Sequence, residues 1–80
     1  MNVLKLKMAT PEYAVYLYYP EGKNEPGELR MDIDAGEVTV ISRAAGDNSV
    51  GHYAFKAARA IKQCISETKN FPLELTNAWA

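Results

Sequence analysis

The feature that most constrains this chain is a period-two hydrophobic pattern that fills its first half and gives way, once only, to a helical one. Leu4, Leu6 and Met8 alternate with Lys5 and Lys7. Residues 13–19 (YAVYLYY) are rich in β-branched and aromatic types. Leu29, Met31 and Ile33 alternate with Arg30 and Asp32, and Val38 and Val40 follow the Ala35-Gly36 turn. Pro11 marks the first turn, and residues 20–27 (PEGKNEPG) form a loop. The expectation is a four-strand antiparallel meander. One helix over residues 50–68 covers one face. Asp47, Asn48 and Ser49 are the candidates for its N-cap. Asn70 and Pro72 end it, and Phe71, Leu73 and Leu75 then alternate as a short edge strand or an extended tail. The fold class is α+β: three or four strands, one helix and a tail, in a single domain over residues 1–80.

Hydrophobic alternation suggests the strand registers. Met8 opposite Tyr13 sets Leu6 against Val15 and Leu4 against Leu17, and Ile33 opposite Val38 sets Met31 against Val40. The face turned away from the helix then carries Val3, Lys5, Lys7, Tyr16, Tyr18, Arg30, Thr39 and Ile41. That face is more apolar than contact with water requires. Three coverings compete for it: the tail, through Phe71, Leu73 and Trp79; a second copy of the chain; or a ligand stacking on the tyrosines.

The only histidine and the only cysteine both fall in the helix. At about 100° per residue, Val50, Tyr53, Ala54, Ala57, Ala58, Ile61, Cys64, Ile65 and Thr68 share the core face. His52, Lys56, Arg59, Gln63 and Ser66 take the wet one. Twelve residues of helix separate His52 from Cys64 by about 18 Å, beyond the reach of proton transfer. Cys64 reads as a small core residue and His52 as a solvated one.

The remaining composition excludes more than it suggests. Nine basic and ten acidic residues leave a net charge of −1, so no global field draws nucleic acid or membrane. The charge is uneven, with residues 1–48 at −3 and residues 49–80 at +2. One cysteine allows neither an internal disulfide nor a multi-cysteine zinc site, and it suits a reducing, cytoplasmic location. Asp32, Asp34 and Glu37 do not make a calcium loop, because Gly36 stands where a ligand is needed and Glu37 where glycine is needed. Gly22-Lys23-Asn24 lacks the upstream glycine and following helix of a phosphate loop. No cofactor, metal or catalytic residue is expected.

The segments YYPEG (residues 18–22), PGE (26–28) and NFPLELTNAWA (70–80) resemble a group of small uncharacterised proteins from Gram-positive bacteria, over about residues 16–80. The resemblance implies a domain boundary and no functional residue.

The expected role is a non-enzymatic protein-interaction module, homodimeric through the uncovered sheet face or bound there to another protein. Tyr16, Tyr18 and Ile41 would form its contact surface, with Phe55 and Trp79 as outliers. The alternative is a nucleic-acid-binding domain using Lys5 and Lys7, the basic helix face Lys56, Arg59 and Lys62, and the sheet tyrosines. No membrane partner is expected.

Overall fold

The computed structural model describes residues 2–47, 51–68 and 70–77. The elements are β1 (Asn2–Ala9), β2 (Tyr13–Pro20), β3 (Gly27–Asp32), β4 (Glu37–Ser42), α1 (His52–Thr68) and β5 (Glu74–Asn77). The sheet is antiparallel and five-stranded, ordered β4-β3-β2-β1-β5, and α1 packs against all five strands from one side. The α+β class and the meander therefore hold, and the expected three or four strands become five. The residues after the helix return to pair with β1, Leu4 opposite Leu75.

The predicted β1–β2 register is wrong by one residue. Leu4 faces Tyr18 and Leu6 faces Tyr16; past a bulge at Lys7, Met8 faces Val15. A one-residue slip exchanges the two faces of a strand. Tyr16 and Tyr18, expected on the open face, are instead fully buried with Leu4 and Leu29 beneath the helix. The cause lies partly in the turn. Thr10 Oγ1 accepts the amides of Glu12 and Tyr13, and the Thr10 amide donates to the Tyr13 carbonyl at 2.7 Å. The hairpin closes there, so Ala9 rather than Met8 becomes the last paired residue of β1. At the next hairpin, Gly36 turns at a φ of 66° and donates to the Asp32 carbonyl. Met31 thus faces Val38 and Leu29 faces Val40, a slip of two from the predicted pairing that keeps both valines on the helix side.

The helix buries Ala54, Ala57 and Ile61, with Tyr53 and Ile65 partly covered. Small alanines at the contact bring the helix axis close to the sheet. Its N-terminus is held by Asp47, whose Oδ1 accepts the Tyr53 amide at 2.8 Å and whose Oδ2 accepts the Ala54 amide at 3.1 Å. The carboxylate thus satisfies two amides of the first turn. Asn48 and Ser49, the other expected caps, lie outside the described residues.

Gly27, in β3 opposite Tyr18, shows why the tyrosine fits under the helix. A Cβ there would lie 2.2 Å from the Tyr18 ring and 2.6 Å from the Ala44 nitrogen. The ring occupies the space a side chain would take. Gly27→Ala should therefore destabilise the fold by about 3 kcal/mol through overpacking, read as a lowered urea midpoint with unchanged m-value. An unchanged midpoint would show that Tyr18 does not lie over Gly27.

Candidate interaction surface

With Tyr16 and Tyr18 turned inward, β2 presents Tyr13, Val15, Leu17 and Tyr19 to the opposite face. These four run down the central strand of the sheet. Tyr13, Leu17 and Tyr19 are half-buried, and Val15 is buried. Among the described residues no helix or strand packs over them.

Long polar side chains from the neighbouring strands lean across this stripe. Lys7 Nζ reaches over β2 to Glu28 Oε1 at 3.0 Å. The Arg30 guanidinium lies 4.0 Å from the centre of the Tyr13 ring and also bonds Asp32 at 3.1 Å. Lys5 Nζ stands 5.3 Å from the centre of the Tyr19 ring. The aliphatic stems cover apolar surface while the charged ends stay in water, and the two cations gain from the ring faces. The surface has a polar rim of both signs around an aliphatic and aromatic centre.

The residues predicted for a contact surface do not come together. Tyr16 and Tyr18 belong to the core, each with no exposed area. Ile41 is 51 % exposed and is the extra residue of a bulge in edge strand β4. Phe55 is 60 % exposed on α1, on the other side of the sheet from the β2 stripe. Trp79 lies outside the described residues. The predicted basic set is split in the same way: Lys5 and Lys7 lie on the open sheet face, while Lys56, Arg59 and Lys62 lie on the helix. Phe71, considered as a cover for the open face, packs instead against Tyr16 on the helix side, with ring centres 6.5 Å apart. Leu73 is 80 % exposed.

Sequence reasoning missed Tyr13, Leu17 and Tyr19. Residues 13–19 are apolar or aromatic at every position, so alternation within them does not choose a face. Gly27 carried the available signal. A glycine inside a strand marks the close approach of another group, here the ring of its cross-strand neighbour Tyr18.

The buried tyrosines are anchored by their hydroxyls. Tyr16 donates to the Pro72 carbonyl at 2.7 Å, and Tyr18 donates to Asp47 Oδ2 at 2.8 Å while accepting the Ala44 amide at 2.9 Å. Burial pushes the Tyr16 hydroxyl up to about 12, assisted by the nearby Cys64. Burial also raises Tyr18 to about 12; the Ala44 amide opposes this and Asp47 adds to it. His52 is exposed at the helix start and Cys64 half-buried near its end, so the two remain apart. A depression of about 380 Å³ lies between the 20–27 loop and the segment after β4, lined by Pro20, Lys23, Asn24, Glu25, Ala45 and Gly46. A second, of about 230 Å³, borders Cys64 and β5. Among the described residues no three His, Cys, Asp or Glu side chains gather as metal ligands, and no helix is long and apolar enough to cross a membrane. No family model, curated protein or solved structure matches the chain.

The two raised tyrosines give stability a definite alkaline dependence. Both stay neutral in the folded chain up to about pH 12, whereas in the unfolded chain they ionise near pH 10. Above pH 10 the unfolded chain holds fewer protons, so stability falls as pH rises and this contribution is gone once pH exceeds 12. Urea midpoints should fall steadily across that window, and less steeply in Tyr16→Phe. A flat profile would mean that both hydroxyls are open to water.

Proposed function

We propose that this protein is a small, non-enzymatic, cytoplasmic interaction module whose contact surface is the open sheet face, and that it associates there with a second copy of itself. One observation carries the reading. The central strand places Tyr13, Val15, Leu17 and Tyr19 in a row on a face that no described element covers. Tyrosine suits such a role, since its ring gives contact area and its hydroxyl tolerates water when the face is free.

The dimensions are consistent with a modest dimer. Four inter-strand gaps of about 4.8 Å and strands of four to eight residues at about 3.3 Å per residue give a face of about 400 Å² per copy. Two copies would bury about 800 Å², under the roughly 1,000 Å² of a stable specific interface. Weak, concentration-dependent association fits that area. The non-enzymatic reading is supported by the placement of His52 and Cys64 at separate ends of the helix, Cys64 lining one of the two depressions described above and His52 neither.

The nucleic-acid alternative is less well supported. Lys7 is already paired with Glu28, Asp32 and Glu37 lie on the same face, and the helix cations point away from it.

Sedimentation over a wide concentration range tests the reading. Wild-type chain should pass from monomer to dimer, and Leu17→Ser with Tyr19→Ser should weaken association at least tenfold while the helical and strand signals in circular dichroism persist. A chain that stays monomeric throughout, or oligonucleotide binding that competes with any dimer, would count against it.

A further inference from the structure

The open face is electrically asymmetric about its central strand. On one side β1 and β5 contribute Lys5 and Lys7 against the single carboxylate Glu74, which stands opposite Lys5; on the other, β3 and β4 contribute Glu28, Asp32 and Glu37 against the single cation Arg30. Lys5 and Glu28 stand at the same height, since both are paired with Leu17 of β2. Lys7 satisfies one oxygen of Glu28, Oε1. Lys5 makes no ion pair with its cross-strand neighbour Glu74 or with any other described carboxylate, and its ammonium lies against the Tyr19 ring.

Resting on the reading of this face as a self-association surface, we propose the arrangement of the pair: two copies meet face to face about a two-fold axis running along β2, which sets Lys5 of each copy against Glu28 of the other. Such an axis exchanges the two sides of the sheet and preserves height along the strands. It therefore lays each basic β1 over an acidic β3 and keeps the apolar row of β2 at the centre. Lys5 gains an ion pair that it does not make with the described residues of its own chain, twice per dimer. The competing two-fold, across the strands, would lay β1 on β1 and bring Lys5 toward Lys7 of the other copy. Like charges there disfavour it. The axis along β2 also leaves the aligned packing of two twisted sheets available, their strands about 30° apart.

Charge reversal separates the two arrangements. Measured by sedimentation, Lys5→Glu and Glu28→Lys should each weaken self-association about tenfold or more. Mixed in equal amounts, these two variants should recover dimer, because each then meets its opposite. The double variant Lys5→Glu with Glu28→Lys should self-associate yet fail to exchange with labelled wild type. Recovery on mixing also shows that both single variants are folded, and circular dichroism checks the double variant. Tighter association of Lys5→Glu alone would overturn the proposal in favour of β1 on β1. A wild-type dimer indifferent to all these reversals would overturn the arrangement and leave the interaction reading standing. A wild-type chain that never dimerises would remove that reading itself.

Discussion

The hydroxyl of Tyr18 joins the sheet to everything that follows it. It accepts the Ala44 amide just after β4 and donates to Asp47, whose carboxylate in turn holds the first amides of α1. Strand, connection and helix N-terminus are thus fixed by one phenol and one carboxylate. A buried hydroxyl and a helix end both need partners, and Asp47 here serves both. The helix dipole places positive potential where Asp47 sits, which reinforces the contact. Since the ring that reaches Asp47 occupies the space a Gly27 side chain would take, the absence of a side chain at one position of β3 becomes a condition for docking the helix.

Tyr16 does the corresponding work at the other end. Its hydroxyl bonds the Pro72 carbonyl, its ring tilts against Phe71, and the Leu6 amide donates to Leu73. These contacts steer the chain leaving the helix back to the free edge of β1, where β5 forms. One local cost remains in the core. Asn2 is fully buried; its Nδ2 donates to the Tyr53 carbonyl, while its Oδ1 has no partner among the described residues. An unsatisfied buried acceptor of this kind costs about 1–3 kcal/mol, so the contacts around the two tyrosines must hold β1 firmly enough to offset it.

Most of the architecture was legible in the sequence because it follows from periodicity. The four strands of the meander, the single helix with Ala54, Ala57 and Ile61 inward, and Asp47 among three cap candidates follow from spacing and turn chemistry. The orientation of β2 was not legible, because every residue from Tyr13 to Tyr19 is able to pack against a core. Two long-range hydrogen bonds, to Asp47 and Pro72, decide the matter, and partners 29 and 56 residues away leave no trace in local alternation. The same slip explains the candidate surface. Exchanging the faces of one strand removed Tyr16 and Tyr18 from it and put Tyr13, Leu17 and Tyr19 in their place. Lys5 and Lys7 stayed on the face where β1 had been expected to show them.

The two bulges bear on how such a sheet can associate. One falls at Lys7 in β1, and the other at Ile41 near the end of the edge strand β4. A bulge breaks the ladder and adds twist, so the outer side of β4 is a poor template for another strand. The opposite edge, β5, offers only four residues. Edge-to-edge pairing is thereby discouraged at both borders of the sheet. The bulge at Lys7 acts in addition on the face, because it points a second lysine of β1 outward, and that lysine spans β2 to reach Glu28. Blocked edges and a face strapped by charged side chains over a tyrosine row favour contacts that are broad, flat and reversible, and the asymmetry of those charges then determines how a second sheet can lie on the first.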